Sequence, residues 1–437
     1  MEKTTIERIM APVNRFIHLE YTSGILLLIS VIIAIGWANS PFAQSYEHLW
    51  HLPLSVSISE YTLNHPLHVW INDGLMAVFF FVIGLELKRE FMEGELSSIS
   101  KAILPMTAAL GGMVVPALIY ISLNYGTAGA HGWGIPMATD IAFALALLSM
   151  ASKNIPTSIK VFLSALAVAD DLGAVLVIAF FYTAKINFLA LSVAAFFVGL
   201  LSLGNMMGIR NTLFYLVIGI CVWIAFLLSG VHATIAGVLV AFTIPAVTRI
   251  NEHVYSDNIR KLSYDFEVDI PERGKLITPK QNKTIQKIKR LSMAAETPLQ
   301  TIEHALHPWV AFGIMPLFAL ANAGIVIQND IFASIINPIS LGILAGLVLG
   351  KFVGILFFSW ITVRLRWAAL PEGSNWSLMM GVALLAGVGF TMSLFINGLA
   401  FDDEMLINQA KYGILLASII AGVTGTIVLR KASRASF

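Results

Sequence analysis

Long apolar runs, each about the length of a membrane-crossing helix, alternate with short polar connections along almost the whole chain. Twelve spans are predicted, over 14–38, 67–87, 102–123, 131–151, 157–183, 186–206, 211–229, 231–248, 300–326, 338–363, 376–400 and 407–429. At about 1.5 Å rise per residue, about 20 apolar residues cross a hydrocarbon core of about 30 Å. The eighth run is short, and only the Ser229-Gly230 turn separates it from the seventh. Two connections differ from the rest. Residues 39–66 carry no Lys or Arg and contain LSVSIS (Leu54–Ser59), whose alternation predicts a short strand or hairpin. Residues 249–298 form a polar insert with the basic stretch KQNKTIQKIKR, which reads as a solvated linker beside anionic lipid or as a regulatory docking site.

Composition agrees with this pattern. The 437 residues are 57% hydrophobic and 12% charged, with a mean hydropathy of +0.80. A soluble domain carries about 25% charged residues, so the chain is expected to be an all-α polytopic membrane protein forming one integral membrane domain over 1–437. A net charge of +1 gives no sign of nucleic-acid binding. The single cysteine, Cys221, lies in an apolar run and reads as buried packing. The N-terminus does not resemble a secretory signal, because its main apolar run begins only after Glu20. With both termini cytoplasmic, 24 of the 27 basic residues fall on the inner side, Lys185 and Lys411 fall outside, and Lys351 lies within a span. That asymmetry fits an inner-membrane protein with an even number of spans.

Four ionisable residues lie deep in the spans: Asp140, Asp170, Asp171 and Lys351. A charged side chain at the bilayer centre costs about 2.5–3.5 kcal/mol even on insertion scales, so such groups are expected to pair with one another or line an ion path. Asp170 and Asp171 are adjacent, about 100° apart around a helix, and cannot both face one neighbour. One is free to pair with the ammonium of Lys351 while the other faces a polar path.

The fourth and eleventh spans contain interruptions. Pro136 precedes Thr139 and Asp140 in HGWGIPMATDIAFALALL, and Gly387 and Gly389 precede Thr391 in LLAGVGFTMSLFI. Proline removes a backbone donor and glycine loosens a helix, so both segments are predicted to unwind. Unwound backbone is tolerated at that depth only where protein buries it or where it lines a cavity. Half-helix ends carry partial charge, positive at N-termini and negative at C-termini. Asp140 would offset the former and Lys351 the latter, leaving Asp170 and Asp171 to bind a transported ion. Carboxylates with the Thr139 hydroxyl suit a hard cation such as Na⁺ or Li⁺. Carboxylates that must be charged to hold the cation take up protons when it leaves, so cation and proton compete for one site.

A third cluster lies at the cytoplasmic ends of spans: Glu86, Lys88, Arg89 and Glu90 in GLELKREFMEGE, with Glu303, His304 and His307 in TIEHALHPWV. These groups read either as a pH-responsive entrance or as interfacial charge pairing. His304 and His307 lack the order of a zinc-protease helix, so a metal site is not expected. His232, in GVHATIAGV, reads as a sensor or as a satisfied interfacial histidine.

Together ATDIAFALALL, ALAVADDLGAV, WINDGLMAVFFFVIGLELKRE, GVHATIAGV, EHALHPWV, PLFALANAG, LVLGK and AGVGFTMSLFI resemble the bacterial NhaA-type sodium/proton antiporter family, in order from about residue 14 to 429. The resemblance implies twelve helices with inverted repeats, the fourth and eleventh broken and crossing; paired broken helices mark the binding site in such transporters, this family being one of the type examples. It implies electrogenic, pH-dependent exchange of two protons for each Na⁺ or Li⁺ exported, with no cofactor and no enzymatic activity. Asp171 would be the principal carboxylate, Asp170 the companion that binds Lys351 when no ion is present, and Thr139 and Asp140 would complete the centre. pH regulation would map onto Glu86, Arg89, Glu303, His304 and His307, and onto His232. The strand-like part of 39–66 resembles the external hairpin through which family members form homodimers. The 249–298 insert looks longer than is usual for the family, which leaves the transfer of pH behaviour open.

Other classes fit less well. A sodium-coupled solute symporter needs an organic-substrate cavity, which no polar cluster marks. A channel would conduct without proton coupling. An intramembrane aspartyl protease needs its two aspartates on separate facing helices, and a retinal-binding lysine suits seven spans.

Overall fold

A computed structural model describes residues 22–58, 61–152, 154–183, 186–268, 276–327 and 335–435. The start of the first expected span (14–21), Ser59 at the end of the predicted strand, and Lys185 lie outside these residues.

The chain opens with α1 (Thr22–Ala38), turns through 113° into α2 (Ala43–His51), and forms a two-stranded antiparallel hairpin of β1 (Pro53–Ile58) and β2 (Tyr61–Pro66). Tyr46 docks α2 on the core: its hydroxyl donates to the Leu320 carbonyl (2.8 Å) and accepts from the Gly324 amide (3.1 Å). Two long helices follow, α3 (Leu67–Met92) and α4 (Ile99–Asn124). Then come a 3₁₀ segment, α5 (Ala128–Met137), and α6 (Ile141–Ala151). α7 (Thr157–Phe181), α8 (Phe188–Met206) and α9 (Thr212–Ser229) are regular helices. α9 ends at Gly230 with φ +79°, a left-handed turn that glycine adopts without a Cβ penalty. α10 (Thr234–Thr243) is short.

The polar insert carries regular structure. It folds into α11 (Glu252–Val268) and α12 (Pro279–Ala295), an antiparallel pair joined by a Tyr255–Ser292 hydroxyl contact of 3.1 Å. The basic stretch is helical because Thr278 and Gln281 form a reciprocal capping box and Pro279 sits at the first helical position. The remaining helices are α13 (Pro298–Asn322), α14 (Pro338–Arg364), α15 (Trp376–Leu385), α16 (Phe390–Ala400) and α17 (Glu404–Ala435).

Among the described residues, eight helices are long and apolar enough to cross a membrane, and eleven spans result if each of three bent pairs counts once. The eighth expected span contributes only the ten-residue α10, about 15 Å of helix and too short to cross on its own.

Small residues set the packing that positions the centre. On α14, Gly346, Gly350 and Gly354 recur every fourth residue and face Pro136, Pro116 and Gly111. A Cβ on Gly346 would lie 2.7 Å from the Pro136 side chain, and one on Gly350 would lie 2.8 Å from the Pro116 backbone. Such close approach is the usual role of small-residue repeats between membrane helices. On α7, residues up to Leu166 pack in one apolar cluster and residues from Ala174 onward in another. The acid pair sits between the two.

Candidate functional site

Both interruptions are present as local structure. Between α5 and α6 the chain is extended over 138–140 and the helix axes differ by 46°; between α15 and α16 residues 386–389 leave the helix and the axes differ by 44°. The two breaks touch. The Asp140 amide donates to the Val388 carbonyl (2.7 Å), and the Ser393 hydroxyl donates to the Ile135 carbonyl (2.8 Å). Gly389 is glycine because a Cβ there would lie 2.9 Å from both the Ala138 carbonyl and Leu347. Gly387 faces the Leu347 carbonyl in the same way. The Asp140 amide and the Val388, Ile135 and Ala386 carbonyls are thus satisfied across the junction, while the amides of Ala386, Gly387 and Val388 stay bonded to the preceding turn of their own helix.

Asp140 acts at this junction. One carboxylate oxygen accepts from the Phe143 amide (3.0 Å) and caps α6; the other accepts from the Thr391 amide (3.1 Å) and from the Thr391 hydroxyl. It places negative charge at the N-termini of α6 and α16, where helix dipoles favour it.

The ammonium of Lys351 is fully buried and ion-paired with Asp170. It also donates to the Thr139 hydroxyl at 2.9 Å. That hydroxyl lies 2.7 Å from Asp170 and 2.9 Å from the Ala386 carbonyl, so Thr139 joins the ion pair to the second break. A π-type turn over Gly346–Gly350 immediately precedes Lys351, a local widening frequent at functional sites. Asp171 is buried with only 1% exposure, as is Asp170, yet one oxygen of each (Oδ1) has no hydrogen-bond partner within the protein. Buried polar atoms are rarely left unpaired. Asp171 lies within electrostatic reach of Asp170, Asp140, Lys351 and Glu86.

The cluster expected around Glu86, Arg89 and Glu303 is only partly assembled. Arg89 and Glu303 form an ion pair, Glu90 lies 3.7 Å from Arg89, and the second oxygen of buried Glu303 has no protein partner. Glu86 is within electrostatic reach of Glu303, Arg89 and Glu90. His304 and His307 are exposed neighbours of this group. Lys88 instead reaches the Phe242 carbonyl (2.7 Å) and the Ile244 carbonyl at the end of α10. Arg89 also lines a cavity of about 350 Å³ with Glu252, Tyr255 and Thr297, so the insert forms one wall beside the cluster. His232 belongs elsewhere: its ring contacts the Tyr182 carbonyl (3.0 Å) and it lies within electrostatic reach of Asp73, near the opposite end of α3.

Sequence reasoning missed Ser393 and the glycine stripe of α14. The stripe was legible as small residues at every fourth position. Ser393 carried no signal beyond lying two residues after Thr391. Among the described residues no group of three His, Cys, Asp or Glu side chains is arranged to hold a metal ion.

An all-helical polytopic membrane protein, with paired helix breaks around buried carboxylates and a buried lysine, is an ion carrier in construction. The family is defined by sequence: the chain belongs to the Na⁺/H⁺ antiporter 1 family, whose profile matches residues 14–429. It is 49% identical over 428 residues to the Na⁺/H⁺ antiporter NhaA of Oleidesulfovibrio alaskensis, covering 97% of this chain and 95% of that protein. Similar relatives include the Na⁺/H⁺ antiporter NhaA 2 of Syntrophotalea carbinolica (46% over 423 residues; 97% of each chain). The antiporter NhaA of Acidithiobacillus ferrooxidans is 47% identical over 429 residues, covering 97% of this chain and 98% of that one. The family is one of transporters, and no cofactor is implied.

Proposed function

We propose that this chain exports Na⁺ in exchange for protons across a bacterial inner membrane, by alternating access at Asp171 and Asp170. The observation that carries this reading is the pair of buried carboxylate oxygens without a protein partner, beside the Lys351–Asp170 ion pair. In the ion-free state Lys351 neutralises Asp170. Na⁺ binds between deprotonated Asp171 and Asp170 and displaces the ammonium; Li⁺, also a hard cation, fits the same oxygen donors. Protons arriving from the other side neutralise the carboxylates and release the cation. Exchange of two protons for one Na⁺ carries one net positive charge inward, which lets the membrane potential drive export.

Twelve spans with cytoplasmic termini, α5–α6 and α15–α16 as broken crossing spans, and α10 as a short eighth span complete the arrangement. The distribution of 24 of 27 basic residues supports that orientation. The Arg89–Glu303 pair with Glu86, His304 and His307 lies on the cation's cytoplasmic approach and tunes it with pH; electrostatic reach from Glu86 to Asp171 supports this coupling. His232 would act separately, from the other end of α3. The 39–66 hairpin would serve as the external homodimer contact, with lipid surrounding the remaining faces.

Everted vesicles acidified inside and carrying a fluorescent pH probe test the exchange. Na⁺ should collapse the gradient at mildly alkaline pH, K⁺ should not, and the Asp171→Asn variant should respond to neither. Absence of any Na⁺ response, with the protein present in the membrane, would overturn the reading.

A further inference from the structure

The hairpin of β1 and β2 carries a feature that ion exchange does not use. Its ladder pairs Pro53 with Pro66, and the Leu67 amide donates to the Leu52 carbonyl (3.0 Å), closing the base. The next pair outward in this register is His51 with His68. Their rings lie 5.4 Å apart, centroid to centroid, at an interplanar angle of 55°. His51 Nδ1 sits 2.9 Å from the Glu47 carbonyl, and His68 Nδ1 sits 3.2 Å from the Trp50 carbonyl. A carbonyl only accepts, so each Nδ1 carries the proton. In the neutral ring Nε2 then bears the lone pair. Donation from one ring nitrogen to a carbonyl, leaving the other to ligate, is the usual outer-shell arrangement of metal-binding histidines. The spacing fits as well: two imidazoles on one tetrahedral Zn²⁺ at about 2.0–2.1 Å hold their ring centres about 5 Å apart.

We propose that His51 and His68 form a binding site for a divalent transition-metal ion such as Zn²⁺, at the base of the hairpin. Two imidazoles select borderline cations over Mg²⁺ and Ca²⁺, which prefer oxygen. Because no third His, Cys, Asp or Glu converges there among the described residues, water completes the shell and affinity is modest. His51 is exposed at the end of α2 and His68 lies in the first turn of α3. A bound ion therefore ties α2 to α3 across the hairpin base and is separate from the buried Lys351–Asp170 centre.

Calorimetric titration of ZnCl₂ into the detergent-solubilised full chain, free of any polyhistidine tag, tests this. Saturable binding of one Zn²⁺ per chain is expected, with a rise in thermal midpoint because the ion binds the folded state. His51→Gln and His68→Gln should each weaken binding about tenfold or more, and should match the parent's midpoint without metal. His48→Gln, also on α2, should bind as the parent does, and Mg²⁺ should produce no saturable heat. Absence of saturable Zn²⁺ binding would overturn the proposal. So would binding that survives both His51→Gln and His68→Gln, or that is lost instead in His48→Gln.

Discussion

Lys351 and Asp170 form a fully buried ion pair from different helices, and the Thr139 hydroxyl of a third segment contacts both. The pair holds α14, α7 and the α5–α6 break at one point. Its attraction must offset the cost of removing two charges from water, so breaking it by removing one partner is costly. Removing both partners is a different perturbation, because no charge is stranded.

Lys351→Ala should therefore destabilise the protein by up to about 3–5 kcal/mol, with proton uptake by Asp170 relieving part of this. Adding Asp170→Asn should recover much of the loss, which is a coupling that independent sites do not show. Thermal unfolding in detergent of the two single variants and the double variant measures it. Simple additivity would mean that the pair contributes no net coupling.

Asp171→Asn should abolish Na⁺-dependent proton movement while leaving the midpoint near that of the parent. Its Oδ1 makes no hydrogen bond within the protein that folding would lose. Vesicle assays and unfolding on one preparation separate the two effects. Full exchange by this variant would move the cation site elsewhere.

Thr391→Val should cost about 1.5–3 kcal/mol, the typical worth of a hydrogen bond to a charged group, because Asp140 loses its hydroxyl donor and keeps only the Thr391 amide on that oxygen. Thr391→Ser retains the hydroxyl and should cost less. Gly389→Val should be harsher, since its side chain would drive into the Ala138 carbonyl across the junction. The membrane-inserted yield and midpoint of the three variants give the ranking.

Exchange should fall as the medium is acidified, since protons then occupy the carboxylates that bind Na⁺. Arg89→Gln should displace this profile by removing the partner of Glu303, without altering the cation preference measured at the alkaline plateau. A profile that does not move would reduce the entrance cluster to interfacial packing.

A separate pH dependence arises at Tyr46, whose phenol is pushed up to about 12, chiefly by burial. Its folded pKa lies above the usual value near 10, so the stability it confers is fully present below about pH 10 and is lost as pH rises through 12. Tyr46→Phe should be less stable at neutral pH and should lose less between pH 10 and 12. Midpoints measured across that window check the sign.

The helices, the acid pair and both breaks were legible in the chain, because burial in lipid demands long apolar runs and makes each charge, proline and glycine within them conspicuous. Spacing also pointed to a short strand or hairpin at LSVSIS, of which Leu54–Ile58 lie in β1, because period-two alternation is a local property. The residues alone made Lys351 the lone basic candidate for the acid pair and the family resemblance pointed to Asp170 as its companion, but the contact itself depends on how α14 packs on α4. The glycine stripe facing Pro116 and Gly111 decides that packing. Thr391 on Asp140, Ser393 on Ile135, the helical hairpin in the insert, and the separation of His232 from Arg89 and Glu303 were decided only by tertiary structure. Hydrophobic period and helix-breaking residues act within a few positions along the chain. Hydrogen bonds such as that of Thr139 to the Ala386 carbonyl join residues far apart in sequence, and three-dimensional packing alone brings them together.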